Sequence, residues 1–233
     1  MNTLISIKQA ILDTYRWCVP VFTRPLLRYE QRKPAASSPN ERPVEWQFAL
    51  TEIAAQYPRT ILDVGSGDTA WPHLLANCGF NVRAIDVVAR NRHFLVERRD
   101  ITDISIVHDL PPVDIVTCIS TLEHIADYNT AIRHMSRLGR RLILTFPFHW
   151  ESHLDDVRRK PSSALCQAFS ITDVMRWCED NDLHEDGDKE SFFQCWSGPT
   201  WSEGLRILPP RRVNSYLGLV HLADLACIIL TRR

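Results

Sequence analysis

The residues whose chemistry is easiest to read form a glycine-rich turn and an acid that follows it in the chain. Positions 61–69 read Ile-Leu-Asp-Val-Gly-Ser-Gly-Asp-Thr. Gly65 and Gly67 permit backbone angles closed to other residues and let the main chain approach a ligand. Asp63 can order this turn or meet a cationic group. Asp86 ends the next predicted strand, where a carboxylate can accept two hydrogen bonds from a ribose diol. The spacing therefore predicts a nucleotide-binding corner.

The elements that must position this corner alternate along the chain. Apolar runs predict strands at 60–64, 81–85, 94–97, 113–119, 141–146 and 226–231, and helical periodicity predicts helices at 44–56, 69–78, 128–138 and 171–181. Thr69 can cap the start of the second helix, and Gly79 can cap its end. Strands that alternate with helices indicate a mostly parallel sheet, and right-handed crossovers bring the strand carboxyl ends to one ligand-binding edge.

The glycine corner resembles that of the class I S-adenosylmethionine (SAM)-dependent methyltransferases, whose first motif reads Leu-Asp-Val-Gly-x-Gly. The likeness extends from about Arg59 to Leu144, although Thr69 stands where many members have a third glycine. It implies an α/β, Rossmann-like fold with a seven-stranded, mostly parallel sheet and helices on both faces. An antiparallel C-terminal strand, with Leu225 to Leu230 beside the fifth strand, is also implied. SAM is the implied cofactor and methyl transfer the implied activity.

The resemblance assigns cofactor contacts to the ends of the first four strands. Asp100 matches the position that meets the adenine amine. With Asp103 three residues further on, it could equally belong to an ordinary acidic loop without a role in binding. The loop after the fourth strand would face the methionine part of SAM, although packing explains Leu122 equally well. The full predicted cofactor-binding set is Asp63, Gly65, Ser66, Gly67, Asp86, Val87, Asp100, Ile101, Ser120 and Leu122.

Two histidines are candidate catalytic bases, because histidine can take a proton near neutral pH. His124 follows the fourth strand, where it and Glu123 can equally well order the loop. His149 follows the fifth strand, near Glu151 and His153. Alternating residues in a loop do not fix ligands on one face, so no metal site is predicted.

Composition narrows the class of acceptor and partner. The formal charge of −1, from 27 basic and 28 acidic residues, gives no electrostatic case for nucleic acid. The Asn-Pro-Pro-Tyr signature of base-amine methylation is also missing. A small-molecule acceptor, sugar- or lipid-linked, is therefore expected by elimination. The seven cysteines never form a C-x-x-C pair, which favours reduced thiols and a cytoplasmic location.

A proline-rich stretch at 32–43 predicts a division of the chain into two parts. Residues 1–43 are expected to form an N-terminal helical arm and linker, and residues 44–233 the SAM-dependent methyltransferase domain. The arm at 2–30 mixes aromatic and basic residues, so it can contact a membrane surface or close over the cofactor cleft. Its apolar stretches fall short of the ~20 residues that cross a bilayer. The sequence gives no oligomeric state.

Two other interpretations stay open. An NAD-dependent oxidoreductase also needs an acid after its second strand, but its G-x-G-x-x-G turn would require glycine where this chain has Ala70. A SAM-binding regulatory module without transferase activity would keep the same corner. Measuring methyl transfer separates the module from the enzyme.

Overall fold

The elements predicted around the corner are found in the computed structural model, which describes residues 41–88, 91, 94–148, 167–185, 193–197, 211–213, 223 and 225–233. The helices within these ranges are α1 (Arg42–Gln56), α2 (Trp71–Asn77), α3 (Ile106–Asp109), α4 (Tyr128–Leu138) and α5 (Ile171–Asp180). The strands are β1 (Thr60–Val64), β2 (Asn81–Asp86), β3 (Val96–Arg98), β4 (Val113–Ile119), β5 (Gly139–Pro147), β6 (Leu183–Glu185), β7 (Phe193–Ser197), β8 (Arg211–Val213) and β9 (Leu225–Arg232).

The strands form one mixed sheet in the order β3-β2-β1-β4-β5-β9-β7-β8, with β6 also paired to β9. Strands β1 to β5 run parallel, and β9 runs antiparallel to β5 with Leu225 opposite Pro147. The Rossmann-like class and the antiparallel C-terminal strand beside the fifth are thereby confirmed. The carboxyl ends of β1, β2, β4 and β5 share one edge, as parallel pairing requires.

The sheet differs from the expected seven strands, since nine are found in the described part of the chain. Strand β9 has two edges, and β5 occupies one of them. The other edge is shared end to end by β6, opposite Leu230 to Arg232, and by β7, opposite Leu225 to Ile228. Strand β8 then pairs with β7. Runs of three residues are too short for a periodic signal, which is why β6 and β8 were not predicted.

Of the two caps predicted for helix α2, the one at its start is wrong and the one at its end is confirmed. It begins at Trp71 with Ala70 as its N-cap, so Thr69 does not cap it. The Thr69 hydroxyl donates instead to the Ser66 carbonyl at 2.9 Å, which tightens the turn. Gly79 ends the helix at φ +93°, and its N–H donates to the Ala76 carbonyl. This left-handed ending is the one that favours glycine.

The central strands form the core, and residues on both faces of the sheet are fully buried, for example Val116 on one face and Ile143 on the other. Cys118, Cys195 and Cys227 are buried thiols within it. Among the described residues, no helix is long and apolar enough to cross a membrane. The predicted arm at 2–30 and His149 lie outside the described residues.

Candidate functional site

Glycine occupies the two positions of the turn for different structural reasons. Gly65 has φ +74°, and its N–H donates to the Ile85 carbonyl at 2.9 Å. A Cβ at this position would lie 2.0 Å from the Thr121 Cγ2, so packing against Thr121 requires glycine. Gly67 has φ +51°, and a Cβ there would meet nothing within 4 Å. The open space beside Gly67 is where a ligand can approach the main chain.

This contrast gives a matched pair of variants. We expect Gly65→Ala to lower the free energy of unfolding by ~1–3 kcal/mol, because Thr121 must move. We expect Gly67→Ala to have a smaller effect on stability but to weaken binding of S-adenosylhomocysteine (SAH), because the new methyl fills the ligand's space. Urea unfolding and calorimetric titration of both variants measure the two effects. Equal losses of affinity without any difference in stability would contradict this division of roles.

Asp63 and Ser66 hold the turn from inside. The buried Asp63 carboxylate accepts hydrogen bonds from the Ser66 Oγ at 2.6 Å and the Thr117 Oγ1 at 2.7 Å. Burial raises the pKa of Asp63 to about 6, although both hydroxyl bonds oppose the shift. These side chains point into the protein, so Asp63 orders the turn, the first of the two roles that its position allowed.

Asp86 clasps the turn from the end of β2. Its Oδ2 accepts the Gly67 N–H at 2.9 Å, and its Oδ1 accepts the Val88 N–H at 2.7 Å. A carboxylate has about four lone-pair sites, so each oxygen can accept one further bond. Val87 follows with 55% of its surface exposed, and Val88 with 44%. The arrangement places acceptor oxygens beside exposed apolar surface, the combination that ligand pockets use.

Asn91 hydrogen-bonds to the backbone of the turn and was not predicted from the sequence. Its side-chain amide donates to the Gly67 carbonyl at 3.2 Å and to the Thr69 carbonyl at 2.7 Å. Its Oδ1 accepts the Phe94 N–H at 3.0 Å. Asparagine is common in loops because it forms such bonds to the backbone, so residue type alone could not single it out.

The adenine-contacting assignment to Asp100 and Ile101 falls on a loop with its own hydrogen bonds. The exposed Asp100 accepts the Thr102 N–H and the Thr102 hydroxyl, both at 2.8 Å. Ile101 is buried, and its carbonyl lies 2.8 Å from the His134 Nδ1. Asp100 lines a cleft with Arg98, among other residues, and that cleft does not include Gly67 or Asp86. The structure brings the glycine turn and Asp86 together, whereas Asp100 lines a cleft of which they are not part.

The loop after β4 contributes a wall to the corner. Ser120 adopts φ +45°, and its N–H donates to the Thr145 carbonyl at 3.1 Å. The next residue, Thr121, packs on Gly65, and its hydroxyl lies 3.1 Å from the Gly65 carbonyl. The Leu122 side chain is fully buried in the core, so only its backbone is available to a ligand. Thr121 was not predicted, because threonine after a strand carries no specific signal.

Two buried carboxylates lie beneath this loop. Glu45, on α1, accepts hydrogen bonds from Thr145 and Ser120 and pairs with Arg42 at 3.2 Å. Glu123 is fully buried, and neither of its carboxylate oxygens has a hydrogen-bond partner. Burial first, and then the charge of Glu45, raise the pKa of Glu123 to about 8, while its own backbone N–H and then the charge of Arg42 oppose the shift.

His124 lies at the ligand-binding edge with 45% of its side chain exposed. Its Nε2 is 3.8 Å from the Glu123 Oε1. The second candidate base, His149, lies outside the described residues, as do Glu151 and His153. Within the described ranges, no group of three or more His, Cys, Asp or Glu residues is arranged to hold a metal ion.

The parallel sheet and the acid-clasped glycine turn define a Rossmann-like nucleotide-binding protein of the class I SAM-dependent methyltransferase type. A model of the methyltransferase domain family matches residues 39–184, which is more than half of the chain. The chain therefore belongs to the methyltransferase domain family.

Individual relatives are more distant. Over 106 residues the chain is 33% identical to a ubiquinone biosynthesis O-methyltransferase of Pseudomonas paraeruginosa. This match covers 41% of the chain and 44% of that relative's length.

Among solved structures, a magnesium protoporphyrin IX methyltransferase from Synechocystis PCC 6803 with bound SAM is similar at a TM-score of 0.51 and 16% identity, over 83% of this chain and 79% of that one. A Burkholderia thailandensis 1,6-didemethyltoxoflavin-N1-methyltransferase reaches 0.56 at 12% identity, over 94% and 89% of the two chains. At these identities the structures support the fold.

Proposed function

We propose that the chain transfers the methyl group of SAM to a small-molecule acceptor. The observation that carries the cofactor assignment is the corner formed by Gly67 and Asp86. The space beside Gly67 is open, and Asp86 retains acceptor capacity on both oxygens after binding two backbone N–H groups. Exposed apolar surface at Val87 completes a site that fits an adenosine group. Membership of the methyltransferase family favours SAM over NAD at this corner.

Five of the predicted residues would contact the cofactor in this proposal. Asp86 would accept the ribose hydroxyls, Val87 would pack on the adenine, and Asp100 would meet its exocyclic amine. The backbone of Ser120 and Leu122 would face the methionine part. The cofactor supplies a methyl group already activated on sulfur, so the protein mainly aligns the acceptor and excludes water.

The acceptor is proposed as a small molecule, sugar- or lipid-linked. Similar proteins named for ubiquinone biosynthesis and for 1,6-didemethyltoxoflavin support a small-molecule class. Residues 147–169 and 196–224 would build its pocket. Trp196, which pairs with Leu225 near the carboxyl end of β7, is one described residue that could contribute to that pocket.

His124 is the candidate base for a hydroxyl acceptor, because its half-exposed ring lies at the ligand-binding edge. We expect His124→Gln to lower kcat by ~100-fold or more, within the range of general base catalysis, and to leave SAH affinity unchanged. Rapid-quench assays with the identified acceptor measure kcat, and titration measures affinity. An unchanged kcat would leave His124 with only the loop-ordering role.

The proposed function is tested by incubating the protein with methyl-labelled SAM and a metabolite extract. Transfer of label to a small molecule supports the enzyme. Binding of SAM without transfer to any acceptor class favours the regulatory module. Binding of NAD without SAM would overturn the cofactor assignment.

A further inference from the structure

Ser120 occupies a backbone conformation that residues with a side chain rarely adopt. Its φ of +45° lies in the left-handed region, where a Cβ crowds the following carbonyl. Such conformations persist where the surrounding structure imposes them, and they concentrate at functional sites. Ser120 immediately follows β4, at the edge that carries the glycine corner.

Glu45 hydrogen-bonds to the Ser120 side chain in this conformation. Its Oε1 accepts the hydrogen bond of the Ser120 hydroxyl and that of the Thr145 hydroxyl, the latter at 2.7 Å. The Thr145 Oγ1 and carbonyl both accept from the Ser120 N–H at 3.1 Å. Glu45 itself is fully buried and fixed by Arg42, which also reaches the Ile119 carbonyl at 3.4 Å. Side chain and main chain of Ser120 are thus both held.

The effect of this arrangement reaches the glycine corner through one residue. Thr121 follows Ser120, and its side chain fills the space against Gly65 that a Cβ would need. Its hydroxyl lies 3.1 Å from the Gly65 carbonyl and 3.1 Å from the Ile119 carbonyl. If Ser120 relaxed to an ordinary conformation, Thr121 would leave Gly65 and the wall of the corner would move.

We propose that Glu45, 75 residues before Ser120 in the chain, is a positioning residue that shapes the cofactor corner by holding Ser120 in its left-handed conformation. The proposal rests on the proposed function, since it takes the glycine corner as the SAM site. Glu45 touches no ligand in this scheme; it acts through Ser120 and Thr121.

A pair of substitutions at Ser120 tests the proposal without disturbing the ion pair of Arg42 and Glu45. Glycine adopts positive φ at no steric cost, whereas alanine keeps the strain and loses the hydroxyl. We expect Ser120→Gly to keep SAH affinity within about three-fold, and Ser120→Ala to weaken it by about ten-fold. Hydrogen exchange of the ligand-free protein provides a second readout, with faster exchange over 119–122 expected in Ser120→Ala alone.

Rescue separates positioning from a general loss of stability. Glu45→Ala, which removes the oxygen that accepts from Ser120, is expected to weaken SAH binding by about ten-fold. The double variant Glu45→Ala with Ser120→Gly is expected to return to the affinity of Ser120→Gly. Equal affinities for Ser120→Ala and Ser120→Gly, or no rescue in a folded double variant, would overturn the proposal. Failure of the wild type to bind SAH would instead refute the proposed function, so the two failures are distinguishable.

Discussion

Replacing Asp86 with alanine is expected to lower the affinity for SAM and SAH by ~100-fold or more, because hydrogen bonds to a charged acceptor each contribute ~1.5–3 kcal/mol. Two such bonds to the ribose are lost in the proposed complex. The Gly67 N–H, 2.9 Å from the Asp86 Oδ2, also loses its partner, which loosens the turn. Isothermal titration of SAH into wild type and variant measures the change.

Asp114 offers a matched control at the opposite edge of the sheet. Its Oδ2 accepts the backbone N–H of Arg59 at 2.8 Å and that of Thr60 at 3.0 Å, so it clasps the start of β1 as Asp86 clasps the turn after it. Asp114→Ala is expected to reduce stability and to leave SAH affinity unchanged. If both variants lose affinity equally, the loss reflects the sheet as a whole; if neither does, Asp86 is not in the site.

The sequence was most informative where one residue type has one physical use. Glycines at 65 and 67, between an apolar strand and a helix, predicted a turn with backbone angles closed to other residues, and both have positive φ. Buried parallel strands read as continuous apolar runs, so β4 was predicted with its observed ends, Val113 and Ile119. The last strand was predicted from its apolar run, whereas its antiparallel place beside the fifth strand came from the family resemblance and is confirmed by the pairing of β9 with β5.

Contacts between segments distant in the chain could not be predicted from the sequence. Glu45 lies in a predicted helix, where an acid reads as solvent-exposed, yet tertiary packing buries it completely against Ser120 and Thr145. Thr121 and Asn91 likewise take their roles from neighbours that only the fold supplies. The short strands β6 and β8 depend on pairing rather than on their own propensity, which is also why they escaped prediction.

Replacing Glu123 with glutamine is expected to remove a pH dependence of stability worth ~3–5 kcal/mol, since one unit of pKa shift corresponds to about 1.36 kcal/mol. Glu123 has a pKa of about 8 in the folded protein, against an ordinary value of 4.5. Burial is the main cause of the raised pKa, the charges of Glu45 and Glu41 add to it, and the Glu123 backbone N–H and Arg42 oppose it. One guanidinium cannot neutralise all of these acids, so Glu123 keeps its proton near neutral pH.

The sign follows from proton binding. Between about pH 4.5 and pH 8 the folded protein binds one proton more at Glu123 than the unfolded chain, so the free energy of unfolding falls as the pH rises. Glutamine does not titrate, so the variant lacks this decrease. The pH dependence due to Asp63 is present in both proteins and cancels in their difference.

Urea unfolding at several values from about pH 5 to about pH 9 measures the difference in stability between wild type and Glu123→Gln. The free energy of unfolding of the variant, relative to that of the wild type, should rise steadily with pH and level off above about pH 8. Any fixed effect of burying an amide is the same at every pH and does not alter this slope. Glu179→Gln, at an exposed acid on α5, should remain parallel to the wild type. A Glu123→Gln curve that is also parallel to the wild type would show that Glu123 is ionised in the folded protein and that Arg42 neutralises it after all.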